Sequence, residues 1–222
     1  MFCRAIIDKS EFREAKRMGN PWKSISLSDY ENHMKLDTVM QLQALNSMMF
    51  SQLNSYDVNT AMVLGVAGGN GLEHIDINKY SAVYGIDVNP EYLQTVKERY
   101  ASLADTLQCL CVDLTEEIEK LPAVNLIIAN LLIEYIGYEC FQKVVMQVKP
   151  KYVSCGIQIN QNDGFISESP YTHSFDELDS IHHQIDTVNL EKRMIDIEYH
   201  KISVVEYPLP NGKELVKMDF ST

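Results

Sequence analysis

The amino-acid sequence predicts an α/β fold: a doubly wound, mostly parallel seven-stranded sheet that closes in an antiparallel hairpin, with a helical extension in front of it. Three observations carry this expectation. From Thr60 onward, apolar runs of strand length alternate with segments of helical periodicity, the pattern of βαβ units with right-handed crossovers. The last two strand-like runs, 194–207 and 213–220, are joined by Pro208-Leu209-Pro210-Asn211-Gly212, and Asn-Gly is a strong hairpin signal. Before residue 58 only helical patterns occur. The chain therefore divides into 1–57, a helical lid or extension, and 58–222, one sheet-based domain. With 222 residues, 45% of them hydrophobic, a domain of this size can bury a sizeable core.

The elements follow in order. Residues 10–18 read as a short polar helix that Gly19-Asn20-Pro21 stops. Ser28, with Glu31 three residues on, has the capping-box pattern and opens a helix of about 25 residues. Its apolar stripe is Leu42, Leu45, Met49 and Leu53, spaced for core packing. Strands are expected at 60–66, 82–87, 107–112, 124–130 and 152–159, with helical segments between them. Asn89-Pro90-Glu91 starts one of these helices. Asn89 caps it, Pro90 suits the first turn, and Glu91 faces the positive end of the helix dipole.

Formal net charge is −12, which opposes binding to phosphate backbones and argues against nucleic acid as a partner. The N-terminal Ile6-Ile7 pair is followed at once by charges, unlike a signal peptide or a membrane span. Five cysteines, with no C-x-x-C pair, read as reduced, mostly buried thiols of a cytoplasmic protein. Oligomeric state is not readable.

The chemistry-bearing pattern lies at the strand ends. Met62-Val63-Leu64 runs into Gly65-Val66-Ala67-Gly68-Gly69-Asn70-Gly71, and the next strand, Val83-Tyr84-Gly85-Ile86, ends in Asp87. A turn nearly free of side chains lets backbone approach a ligand closely. A carboxylate on the neighbouring strand end is placed to accept from two ribose hydroxyls. Together they predict a nucleoside-bearing cofactor at the carboxyl ends of parallel strands. A nicotinamide dinucleotide would require G-x-G-x-x-G after the first strand, and Gly69-Asn70-Gly71-Leu72-Glu73-His74 fails at the third glycine.

Over about residues 58–220 the chain resembles the class I S-adenosylmethionine-dependent methyltransferases, a Rossmann-like family with five parallel strands and a closing antiparallel strand seven. The family's first motif, acid-x-Gly-x-Gly-x-Gly, falls on Gly65, Ala67, Gly69 and Gly71. The last two glycines match, the first is alanine, and the acid is glycine. The resemblance implies S-adenosylmethionine as cofactor. Gly65, Ala67, Gly69 and Gly71 would then lie along its methionine end, with Asp87 and Val88 at the ribose. Asp113 would stand at the adenine amino group and the Leu114 N–H at the ring. Asn130 closes the fourth strand, and Leu132-Ile133-Glu134-Tyr135-Ile136 is similar to the family's post-strand segment. An Asp at a strand end is also a turn former or helix cap, and Thr115-Glu116-Glu117 beside Asp113 is helix-start chemistry.

Methyl transfer from a sulfonium is an in-line displacement, so alignment and water exclusion are required and a catalytic triad is not. The expected acceptor is an oxygen or nitrogen of a small molecule. Tyr135 and Glu134 are the nearest acceptor-side candidates, and His173, in the long loop after the fifth strand, is a candidate general base. Tyr30 and His33 share a helix face that could roof the cofactor, and Tyr171 lies in the same long loop as His173. His182-His183 invites a metal, but no partner has ligand spacing. A solvated helix surface is the expectation there, and no metal site is predicted. Two other readings stay open: a catalytically silent cofactor sensor or interaction module, favoured by the degraded first motif, and a protein side-chain methyltransferase.

Overall fold

A computed structural model describes residues 19–160 and 164–222. The helix expected at 10–18 and Cys3 lie outside the described residues. The elements are α1 (Leu27–Met34), α2 (Gln41–Asn54), β1 (Thr60–Leu64), β2 (Ala82–Asp87), α3 (Pro90–Arg99), β3 (Leu107–Cys111), β4 (Leu126–Asn130), α4 (Ile133–Val148), β5 (Tyr152–Ile159), α5 (Thr187–Ile195), β6 (His200–Pro208) and β7 (Glu214–Ser221).

Seven strands form one sheet in the order β3-β2-β1-β4-β5-β7-β6. The first five are mutually parallel. β7 runs antiparallel beside β5 and pairs with β6 in the terminal hairpin. β1, β4 and β5 bury both faces and read as nearly continuous apolar runs, as parallel strands covered by helices must, whereas the outer strand β3 buries only Leu107. On one face Met49 and Leu53 of α2 and Leu93 and Val96 of α3 pack against Ala61, Val63 and Ile128. On the other, Phe141, Val144 and Val148 of α4 and Leu190 and Met194 of α5 pack against Met62, Ile127 and Val153. Removing these side chains from water on both faces is the main favourable term holding the layers together.

The structure corrects several expectations. The single long N-terminal helix is two: Ser26, not Ser28, caps α1, and Met40, at φ 54°, breaks the chain before α2. The β1–β2 connection contains one 3-10 turn, Leu72–His74, in place of a helix. Its glycines and the Asp76-Asn78 side-chain turn compete with helix formation. The β3–β4 connection likewise holds only Ile118–Lys120. Residues 194–199 finish α5 and a turn before β6 begins, because Asp186 caps a helix there through the Asn189 N–H. Of the described cysteines only Cys155 is buried; Cys109 and Cys140 are partly exposed and Cys111 is exposed. Cys111 closes the outermost parallel strand, where there is no further layer to cover it.

Candidate active site

Neighbours on either side of β1 connect in opposite directions, which opens a crevice outside the strands' carboxyl ends. There the chain forms a cavity of about 360 Å³, within the usual range for small-molecule sites. Each inner strand contributes to its wall: Gly65 and Ala67 after β1, Asp87 and Val88 at β2, Asp113 and Leu114 after β3, Asn130 at the end of β4.

Asp87 is buried. Its Oδ2 accepts from the Ala67 N–H and its Oδ1 from the Asn89 N–H, both at 2.9 Å. Burial pushes its carboxyl above the ordinary range, and the Asn89 and Ala67 N–H groups pull the other way. Each oxygen keeps a lone pair for a further donor. Asp113 forms a side-chain turn: its Oδ1 accepts from the Thr115 N–H at 3.1 Å and from the Thr115 hydroxyl at 2.7 Å. The Leu114 N–H, beside it on the wall, has no acceptor among the described residues. Asn130 is locked in a reciprocal amide pair with Gln52 of α2, at 2.9 Å in each direction.

The segment before β1 covers this cavity. Asn20 to Lys23 form a 3-10 turn whose Trp22 carbonyl accepts from Asn89 Nδ2 at 3.0 Å. The Ile25 carbonyl accepts from the Tyr92 hydroxyl at 2.8 Å. Lys23 Nζ stands 4.0 Å from Asp113. Arg99 of α3 binds both Glu31 of α1 and, at 3.0 Å, the Gly68 carbonyl, so the cover and the glycine loop share one anchor.

A second cavity of about 70 Å³ lies behind the first. Trp22, Tyr30, Leu131 and Tyr135 line both and form the partition between them. Trp22 meets the Tyr135 ring edge-on at 4.9 Å and the Tyr30 ring at 5.8 Å. Burial raises both phenols well above their ordinary value, helped at Tyr30 by Asp87 and at Tyr135 by Glu134. Both remain neutral hydrogen-bonding groups at any physiological pH. Leu131, at φ 52°, and a kink at Gly137, at φ 71°, isolate the first turn of α4 from the rest of the helix. That turn carries Glu134 and Tyr135 into the partition and the inner wall. Glu134 Oε1 accepts from the Gln158 N–H at 2.9 Å, while Oε2 is buried without a partner among the described residues. Burial holds this carboxyl at about 7. His33, also on the inner wall, pairs through Nδ1 with the Ser169 hydroxyl at 2.8 Å.

No protein-family model and no curated protein sequence matches the chain. Solved structures match it in shape. N-methyltransferase NodS from Bradyrhizobium japonicum WM9, in complex with S-adenosyl-L-homocysteine, aligns over 91% of this chain and 98% of its own, with a TM-score of 0.63 at 13% identity. Magnesium protoporphyrin IX methyltransferase from Synechocystis PCC 6803, with bound SAH, aligns over 96% and 99%, with a TM-score of 0.62 at 8% identity. Geranyl diphosphate methyltransferase in complex with SAM aligns over 80% and 84%, with a TM-score of 0.63 at 10% identity. The chain has the class I S-adenosylmethionine-dependent methyltransferase fold.

Within that methyltransferase fold, the residues expected at the site divide. Gly65, Ala67, Asp87, Val88, Asp113, Leu114, Asn130, Tyr30 and Tyr135 meet at the larger cavity, and His33 and Glu134 at the smaller. Gly69 and Gly71 are on neither wall. A Cβ at Gly69, φ +84°, would stand 2.8 Å from the Tyr100 ring, and one at Gly71, φ +89°, 2.5 Å from Met49. These two glycines let α3 and α2 close onto the loop. His173 lies away from both cavities, 95% exposed beside Asp176. Tyr171 packs on the Ile25–Phe175 cluster instead of lining a cavity. His182 corrects the expected solvated helix surface. It sits on an irregular segment before α5, its ring stacked 3.8 Å from Phe165, and lines the inner cavity. Gln41 and Gln158, hydrogen-bonded to each other on the inner wall, carried no signal in the sequence, because only the fold brings α2 and the end of β5 together. No group of three or more metal-ligating side chains occurs among the described residues, and none of the described helices is long and apolar enough to cross a membrane.

Proposed function

We propose that the protein is an S-adenosylmethionine-dependent methyltransferase acting on an oxygen or nitrogen of a small molecule. The observation that carries this reading is the convergence of Asp87, Asp113 and the side-chain-poor Gly65–Ala67 bend on one cavity at the sheet's switch point. The donor set suits the cofactor. Asp87 accepts from the ribose hydroxyls, while the Asp113 carboxylate and Leu114 N–H face the adenine edge. Gly65, exposed on the wall, leaves room for the methionine end. When bound, the cofactor supplies a sulfonium-activated methyl group.

The chain's own residues do the rest. The Asn20–Lys23 turn and α1 cover the cavity and exclude water, which strengthens every polar contact inside. Trp22, Tyr30 and Tyr135 fix the approach of an acceptor held behind the partition, and alignment alone is worth several kcal/mol of a displacement barrier. Glu134 and Tyr135 are the acceptor-side groups, and the exposed position of His173 leaves it the weaker candidate for a base. The paired inner cavity favours a small acceptor over a protein side chain.

Calorimetric titration with S-adenosylmethionine and S-adenosylhomocysteine tests the binding, and methyl transfer to a metabolite panel separates an enzyme from a silent sensor. Asp87→Ala is expected to weaken cofactor binding by about 1–3 kcal/mol, the cost of losing charge-assisted hydrogen bonds. Unchanged affinity in a folded Asp87→Ala variant refutes the ribose assignment.

A further inference from the structure

The inner cavity has a single formal charge. Of its lining side chains Glu134 alone is acidic, and none is lysine or arginine. The two that could become cationic are biased toward the neutral form: burial, then Lys213, lowers His33, and burial, then His183, lowers His182. Glu134 spends one oxygen on the Gln158 N–H and leaves the other buried and unpartnered. A buried carboxylate oxygen without a donor is costly, so the chain lacks the group that completes this site. The remaining wall combines aliphatic side chains and the Gln41 and Gln158 amides with five aromatic rings, Trp22, Tyr30, Tyr135, Phe165 and Phe175, and aromatic rings attract cations. The volume, about 70 Å³, is several times what one water requires.

We infer that the methyl acceptor is an amine nitrogen, drawn into the inner cavity as its ammonium form with Glu134 Oε2 as its counter-charge. The inference deepens the methyltransferase reading and rests on it. The ammonium passes one proton to Glu134 Oε2, leaving a neutral carboxylic acid and a lone pair on nitrogen. The lone pair forms the new N–C bond as the C–S bond breaks, its electrons passing to sulfur. The positive charge moves from sulfur to the methylated nitrogen. Burial holds Glu134 at about 7, which suits a group that must accept and release a proton near neutral pH. Trp22, Tyr30, Leu131 and Tyr135 line both cavities, which makes the two adjacent, as an in-line displacement requires.

Benzylamine and benzyl alcohol share a frame and differ in the head group, which makes them the probes. Each is titrated calorimetrically into the full chain loaded with S-adenosylhomocysteine, in wild type and in Glu134→Gln. Benzylamine is expected to bind wild type at least about tenfold more tightly than the alcohol, and the ratio is expected to fall to about threefold or less in the variant. Equal binding of the two probes by wild type, no benzylamine binding, or a tenfold preference that survives Glu134→Gln overturns the inference. The comparison within wild type stands even if the variant fails to fold. The loading titration itself separates the two claims: S-adenosylhomocysteine that binds without an amine preference leaves the cofactor reading intact, and S-adenosylhomocysteine that does not bind overturns both.

Discussion

Glu134 is the residue on which the site's chemistry can be weighed. Burial holds its carboxyl at about 7, above the ordinary 4.5. The folded chain therefore keeps a proton that the unfolded chain releases, so this group's stabilising share is full below about pH 4.5 and is lost as pH rises through about 7. The span corresponds to about 3 kcal/mol. His33 and His182 titrate in wild type and variant alike and cancel in a difference. Glu134→Gln should gain on wild type by up to about 3 kcal/mol between pH 4.5 and 7.5, read by urea denaturation at both values. A difference that does not change with pH would contradict a buried carboxyl. The glycine loop offers a second contrast. Ala67 stands at φ 45° and Gly65 at φ 66°. Ala67→Gly relieves a left-handed alanine at some cost in unfolded-chain entropy, for a net gain of under about 1 kcal/mol. Gly65→Ala adds both that strain and a Cβ 3.1 Å from Leu132, and should lose about 1–2 kcal/mol. Thermal unfolding of the two variants should therefore move in opposite directions, and shifts of the same sign would contradict the loop geometry. Asp87 and Asp113 could be picked out in the sequence because each closes an apolar run of strand length, although Asp113 also makes the turn such a residue favours, and Glu134 was picked out from the family resemblance. Gly69 and Gly71 were read for the ligand and serve packing, since a glycine in sequence does not say which neighbour comes close. His182 was missed because its cavity position depends on Phe165, which is distant along the chain.

At the scale of elements, the parallel strands and the α3 cap were legible because each rests on local pattern. The Asn89 side chain does accept from the Glu91 and Tyr92 N–H groups. Connections were less legible. The β1–β2 link carries a helical apolar pattern, yet its loop is pinned by groups from elsewhere, with the Tyr100 hydroxyl on the Gly69 carbonyl at 2.8 Å and Arg99 on Gly68. β7 holds an element-scale surprise. Lys217 and Asp219 lie 2.9 Å apart, 3% and 1% exposed, in the buried middle of the strand, where their neighbours are apolar. Ser154 of β5 donates to Asp219, and Lys217 donates to Ser51 of α2 at 3.1 Å. The pair ties the antiparallel strand to the parallel sheet on one side and to the N-terminal helix on the other. Asp219→Ala leaves a buried ammonium with one neutral partner and should cost about 3–5 kcal/mol in urea denaturation. A loss under about 1 kcal/mol would mean that Lys217 finds water or another acceptor.

At the scale of the molecule, alternating apolar runs and the terminal Asn-Gly were enough for the layer architecture, because buried parallel strands and hairpins have distinct periodicities. Strand order was not legible, since no local pattern states which strands become neighbours. That order puts β1 between β2 and β4 and so sets where a ligand can lie. The N-terminal segment serves two layers: α2 completes the core over the sheet, while Tyr30 of α1 and the Asn20–Lys23 turn line the cavity. The net charge of −12 is compatible with the cationic acceptor proposed above. The most direct test of this account is a crystal structure of the chain with S-adenosylhomocysteine. The account predicts ribose hydroxyls within hydrogen-bond distance of Asp87, adenine against Asp113 and Leu114, and sulfur facing Tyr135. Ligand bound elsewhere, or adenine and ribose on a wall without Asp87, would contradict it.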